Sequence, residues 1–288
     1  MAAADTLILV RDVDSLRRRI AGWRRDHLKV ALVPTMGALH KGHLALVQRG
    51  LQLCDRIVAT IFVNPKQFGP SEDLAAYPRR ESEDFQMLST AGVHLLFAPD
   101  VAAMYPPGFA TNVRVAGLSE ELDGAHRPGH FDGVATVVTK LLLQAAPDVA
   151  LFGEKDYQQL AIIKRLQADL NIPVDIVGVP TVRDADGLAL SSRNAYLTAD
   201  ECARAPALHK AIVAAAQAIA AGDDIAAALA TAKAAITAAG FGPIDYVEAR
   251  HAETLAPLGS AAEPGRVLAA AQLGRARLID NVAIQKSS

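Results

Sequence analysis

The stretch that decides the fold is Val30-Ala31-Leu32-Val33-Pro34-Thr35-Met36-Gly37-Ala38-Leu39-His40-Lys41-Gly42-His43. Its first four residues form an unbroken aliphatic run, as in a strand buried on both faces. A turn with proline and glycine follows. Leu44, Val47 and Leu51 then recur at helical spacing. Strand, tight turn and helix in that order make the first half of a βαβ unit.

Working outward, the same alternation continues on both sides. Leu7–Val10 is a short apolar run, and Val13, Leu16, Ile20 and Trp23 have the spacing of an amphipathic helix. Downstream, Ile57–Val63 predicts a strand ending at Asn64-Pro65, Phe85–Leu88 belongs to a helix and Leu95–Phe97 to a strand. Val134–Leu143 predicts a helix, Val149–Phe152 a strand, Asp156–Leu170 a helix and Val174–Val179 a last strand. Alternation with near-continuous apolar strands predicts an α/β fold, a Rossmann-like, doubly wound parallel sheet. The pattern changes between Val179 and Asp184. Beyond it come Ala-rich helices (Ala205–Ala221, Ile225–Ala239), then strands at Asp245–Ala249, Val267–Leu273 and Arg277–Ile284. Helices followed by strands predict a smaller C-terminal α+β domain, with residues 1–181 as the first domain and 182–288 as the second.

Bulk properties narrow the function. The 288 residues carry 29 Lys+Arg against 31 Asp+Glu, a net charge of −2, which gives no field to hold a polyanion. Nucleic acid is therefore not expected as a partner. No apolar run approaches the roughly 18–20 residues that cross a bilayer. Met1–Arg11 has no basic segment leading into an apolar one, so a cytoplasmic location is expected. Cys54 and Cys202, the two cysteines, read as reduced thiols.

The chain has no Walker-type phosphate loop, no dinucleotide-binding glycine fingerprint, no nucleophile elbow and no zinc-protease helix motif. It does have His40-Lys41-Gly42-His43 where a parallel strand hands over to a helix. Ligands of open α/β sheets bind beyond the carboxyl ends of the strands, and a helix N-terminus favours phosphate. Gly42 would let a phosphate or base approach the backbone, with the imidazole N–H groups of His40 and His43 as donors. Leu190-Ser191-Ser192-Arg193-Asn194 supplies two hydroxyls and a guanidinium after the last strand, a second place for polyphosphate. Gly153-Glu154-Lys155-Asp156 is a third, with Lys155 for phosphate charge and Asp156 for helix capping or a ribose or Mg²⁺ contact. Taken singly, each is equally a helix cap or a polar loop. Together they mark a nucleotide site.

The His-x-Gly-His motif belongs to the nucleotidyl-transferase superfamily that includes class I aminoacyl-tRNA synthetases. Over Val33–His43, Phe62–Phe68, Gly153–Leu160 and Val179–Asn194 the chain resembles the pantothenate synthetase family more specifically. That resemblance implies an ATP-dependent ligase that joins pantoate to β-alanine through pantoyl-adenylate, with Mg²⁺ and a homodimeric state. It implies that Met36, Gly37, Ala38, Leu39, His40, Lys41, Gly42 and His43 bind ATP, with His43 as proton donor and His40 beside it. Gly153, Glu154, Lys155, Asp156, Val182, Leu190, Ser191, Ser192 and Arg193 complete the nucleotide site, with Lys155, Ser191, Ser192 and Arg193 also counted as catalytic. Gln67 would contact pantoate and β-alanine, and Gln159 pantoate. Asn64, Tyr77, Arg127 and His130 would surround them. Glu83 and Asp84 would lie near the metal. Leu190 departs from the methionine usual at its position; the two have similar volume.

The chemistry stands without the name. A carboxylate is a poor electrophile for an amine, and a mixed anhydride with AMP supplies a leaving group. Met36 and Phe62 would wall an apolar acid pocket, with the two glutamines for its oxygens. Two other readings stay open: a different adenylyltransferase of the superfamily, whose phosphorylated acceptor would want more Lys and Arg than Gln67 and Gln159 offer, and a non-catalytic nucleotide-binding protein. The surface that makes the dimer stays open, with an exposed strand edge near Val113–Val115 as one candidate.

Overall fold

The computed structural model describes residues 6–70, 72 and 74–285. Chain order gives β1 (Ile8–Val10), α1 (Val13–Arg25), β2 (Val30–Thr35), α2 (Lys41–Leu53), β3 (Arg56–Ile61), α3 (Glu81–Thr90), β4 (Leu95–Phe97), α4 (Val101–Met104), α5 (Asp123–His126), α6 (His130–Ala145), β5 (Val149–Gly153), α7 (Tyr157–Asp169) and β6 (Asp175–Val179). The six strands form one parallel sheet in the order β1-β4-β3-β2-β5-β6.

Alternation along the strands fills both faces. Val30, Leu32, Val58, Phe97, Ala150 and Phe152 pack on one side with residues of α1, α6 and α7. Ala31, Val33, Ile57, Ala59 and Leu151 pack on the other with α2 and α3. This is the doubly wound arrangement read from the sequence. After β2 the chain moves to β3 on one side, and β5 takes its place on the other. The crevice at this switch point is where such sheets bind ligands.

The remainder, α8 (Ala199–Arg204), α9 (Pro206–Ala221), α10 (Ile225–Ala238), β7 (Ile244–His251), β8 (Gly265–Leu273) and β9 (Ala276–Ile284), ends in a three-stranded antiparallel sheet. Small residues of α9 and α10 (Ala211, Ala215, Ala228, Ala232) pack against Val267, Ala269 and Ala271 of β8 in a separate core.

Two expectations fail locally. Leu51 is 41% exposed, and the buried face of α2 is Leu46, Val47 and Gly50. Residues 113–115 form no strand: the Val113 N–H donates to Thr136 Oγ1 at 2.9 Å, and the sheet edges are β1 and β6. Apolar alternation there reflects packing of Val113 and Val115 on the core.

Candidate active site

The carboxyl ends of β2, β5 and β6 open into a cavity of about 230 Å³. Met36, His40, Gly42 and His43 enter it from the β2–α2 turn, Gly153, Lys155, Asp156 and Gln159 from the β5–α7 turn, and Val182 and Leu190–Arg193 from the segment after β6. Gln67, Asn64, Tyr77, Arg127 and His130 complete the wall, so the residues singled out on separate motifs converge. A second, larger cavity of about 470 Å³ shares Lys155, Asp156, Gln159, Arg127, His130, Ser191 and Arg193 and extends to Arg275 and Arg277 of the C-terminal domain.

The histidines are held in one tautomer. His40 Nδ1 accepts the Gly42 N–H at 3.1 Å, and His43 Nδ1 accepts the His40 N–H at 3.3 Å. Each imidazole therefore caps α2 with one nitrogen and keeps its proton on Nε2. The rings lie 4.1 Å apart between centroids. Burial, with His40 and Lys155 alongside, pushes the His43 imidazole down to about 3; burial and Lys155 also lower His40. Both rings are neutral N–H donors in the free protein at neutral pH. In this neutral form the proton that His43 carries is the one on Nε2, because an imidazolium here would sit desolvated beside a lysine. Gly42 also has a packing reason that the sequence did not show. A Cβ there would lie 2.8 Å from His40 Cε1, so glycine makes room for the folded-back imidazole.

Glu83 and Asp84 do not point together. Asp84 is 2% exposed; Oδ2 accepts the Ala38 N–H at 2.9 Å and Oδ1 the Leu39 N–H at 2.8 Å. It clamps the turn in which Ala38 is held at φ +50°. Glu83 lies on the surface, 3.7 Å from Arg80. Both line a small groove with Ala38, Leu39, His40, Ser191 and Ser192. Among the described residues no group of three His, Cys, Asp or Glu side chains converges as a metal cage. Gly37 is buried and Lys41 exposed, and neither lines the main cavity.

The Gln67 side of the cavity is a chain of fixed partners. His130, at the start of α6, donates from Nδ1 to the Gln67 carbonyl at 2.8 Å, and its Nε2 accepts from Arg127 at 3.0 Å. Burial, then Arg127, push this imidazole down to about 4. Arg127 is also bidentate to Glu72 at 2.8 and 2.6 Å. Tyr77 Oη lies 3.4 Å from Ser192 Oγ, tying this wall to the serine loop. Ser191 caps the short 3-10 turn Ser192–Tyr196 by accepting the Arg193 N–H at 3.3 Å.

Three supports were not read from sequence. Asn281 of β9 donates to the carbonyls of Glu154 and Lys155, both at 2.9 Å. Arg266 of β8 lies 3.4 Å from Glu154, which turns away from the main cavity, and stacks over the Tyr157 ring. Arg183 forms a bidentate pair with buried Asp280 at 2.7 and 2.8 Å, fastening the base of the serine loop to β9. The signal was present: Asp280-Asn281 is a polar pair inside the apolar run Leu278–Ile284.

The model of the family described as pantoate-beta-alanine ligase matches residues 8–283. The chain belongs to the pantoate-beta-alanine ligase family. It is 60% identical to the pantothenate synthetase of Paramagnetospirillum magneticum over 96% of this chain and 98% of that one. A crystal structure of pantothenate synthetase from Thermus thermophilus superposes with a TM-score of 0.91 at 48% identity, covering 96% and 99%. The pantoate-beta-alanine ligase of Francisella tularensis, complexed with beta-gamma ATP and beta-alanine, gives 0.82 at 32% identity, covering 98% and 99%.

Proposed function

We propose that this member of the pantoate-beta-alanine ligase family condenses pantoate with β-alanine at the expense of ATP, through pantoyl-adenylate, releasing AMP and pyrophosphate. The observation that carries the reading is the convergence of two neutral imidazole donors, Lys155 and the Ser191–Arg193 loop on one cavity at the sheet switch point. ATP lies with its phosphates against His40, His43, Lys155, Ser192 and Arg193, and pantoate lies between Met36, Phe62, Gln67 and Gln159. Holding carboxylate and α-phosphate in line contributes on the order of 7–11 kcal/mol as effective molarity. Donors aimed at the charge that develops on the phosphates supply the remainder. β-Alanine then attacks the acyl carbonyl from the side of Gln67, Arg127 and His130.

Mg²⁺ belongs to the substrate in this reading. It arrives on the triphosphate, since Asp84 already accepts two backbone N–H groups, and Glu83 is the acid left facing the adjoining groove. Residues 1–181 bind the substrates and 182–288 act as lid. Packing of Leu188, Tyr196 and Leu197 on the C-terminal core supports a boundary just before them. The enzyme acts in the cytoplasm as a homodimer, without nucleic acid. Unpaired Cys54 and Cys202 suit a reducing compartment, and no helix among the described residues is long and apolar enough to cross a membrane. Light scattering should give twice the chain mass; monomer alone across micromolar concentrations would contradict the dimer.

Exchange of labelled pyrophosphate into ATP tests the function. It should require pantoate and not respond to phosphopantetheine. Exchange with the phosphorylated acceptor instead would favour another adenylyltransferase, and no turnover to AMP would favour a binding protein.

A further inference from the structure

We infer that Tyr105 is a positioning residue that, through Asn64, fixes which end of the Gln67 amide faces the acid pocket. The two ends of an amide have the same shape and opposite polarity, so their orientation must be read from partners that can act in only one sense. Two backbone groups show which way the Asn64 amide lies. The Lys66 N–H, which can only donate, meets Oδ1 at 3.3 Å; the Gly133 carbonyl, which can only accept, meets Nδ2 at 3.1 Å. The Tyr105 hydroxyl donates to the same Oδ1 at 2.8 Å. Burial raises this phenol, so it keeps its proton.

Asn64 Nδ2 then donates to Gln67 Oε1 at 3.0 Å, which leaves Gln67 Nε2 for the cavity, 3.0 Å from Met36 Sδ. A thioether is a weak acceptor, so this N–H₂ is a donor held ready for something better. The wall beside Gln67 thus offers an N–H₂ donor with only a weak thioether acceptor next to it. It matches a carboxylate or hydroxyl oxygen and mismatches an ammonium group, and so selects a hydroxy acid over its amino-acid analogue. Tyr105 is set by packing against Phe62 at 6.0 Å and Phe109 at 5.0 Å between ring centroids, contacts that a phenylalanine would keep.

The inference rests on the reading that Gln67 lines the acid pocket, and the test separates the two. In the full chain, Tyr105→Phe should raise KM for pantoate roughly three- to tenfold, the worth of one neutral hydrogen bond, with KM for ATP and kcat within about twofold. Asn64→Asp, whose carboxylate can only accept, should turn the Gln67 N–H₂ inward. It should lose about tenfold more pantoate activation than Asn64→Ala, and narrow the preference for a 2-hydroxy acid over its 2-amino analogue in pyrophosphate exchange. Equal rises in both KM values for Tyr105→Phe, no rise in either, or equal losses in the two Asn64 variants would overturn the relay. Gln67→Leu is the control. If it leaves KM for pantoate unchanged, the placing of Gln67 in the acid pocket fails; if it raises that KM and Tyr105→Phe does not, the relay alone fails.

Discussion

His40 and His43 are the residues on which the nucleotide reading turns, and their protonation has a measurable consequence. His43 and His130 fold with pKa values of about 3 and about 4, against 6.5 for an ordinary imidazole. A histidine depressed on folding binds its proton more tightly when unfolded. Its contribution to stability is complete above about 6.5 and is lost as pH falls toward the folded value. Asp123 and Asp280 are buried, which opposes ionisation, but Arg277 holds the first below the usual carboxylate range and His209 and Arg183 the second. Their losses belong to a more acid window. The urea midpoint should therefore fall between about pH 7 and pH 5; a flat profile over that interval would show that these imidazoles titrate normally. Leu190 offers a second test at this scale. It lines the cavity while its own N–H donates to the Val182 carbonyl at 3.0 Å. Leu190→Met keeps volume and backbone, so kcat/KM should stay within tenfold, about 1.4 kcal/mol. That His40 and His43 lie together at the start of a helix was legible from their spacing. Where their protons sit was not, because that is decided by backbone N–H groups whose positions only the folded turn supplies.

At the scale of elements, the decisive feature is a turn between β2 and α2 that α3 holds from outside. Asp84 binds two of its N–H groups, and Ala38 keeps a left-handed conformation that a non-glycine residue adopts only under constraint. The sequence placed an acid here but gave no means of telling a clamp from a metal ligand, since both ask for a buried carboxylate. Asp84→Asn tells them apart. An amide nitrogen facing one of the two N–H groups should cost about 1–3 kcal/mol of stability in the free protein, with a parallel loss of activity that excess Mg²⁺ does not restore. Recovery of wild-type rates at high Mg²⁺, with stability unchanged, would return Asp84 to the metal. Strands and long helices were read within a few residues because burial on both sheet faces leaves a continuous apolar mark. The short helices α4, α5 and α8 carry too few residues for periodicity to show.

Across the whole molecule, the site exists where two independently packed units meet. Arg277 of β9 reaches Asp123 at 2.6 Å and Asp245 at 2.7 Å, while Tyr246 donates to Asp123 at 3.0 Å. Asn281 and Arg266 grip the Glu154–Lys155 turn from the same side. The C-terminal sheet thus sets the backbone that carries Lys155, although its own sequence carries no catalytic motif. Such long-range pairing leaves little trace in a linear pattern beyond the out-of-place polar pair in β9. Lys155 stands at this junction with its side chain 18% exposed and close enough to both histidines to lower them. Its proposed work is on the phosphates during adenylate formation, when charge moves onto the departing pyrophosphate. In the second step β-alanine attacks a carbonyl and those phosphates are gone. The most direct measurement is single-turnover kinetics of each half-reaction for Lys155→Ala. Adenylate formation from pantoate and ATP should fall roughly 10²–10³-fold, while pre-formed pantoyl-adenylate with β-alanine keeps a clearly larger share of its rate. Equal losses in both halves would contradict the account, placing Lys155 on the AMP moiety common to both or on the folding of the site.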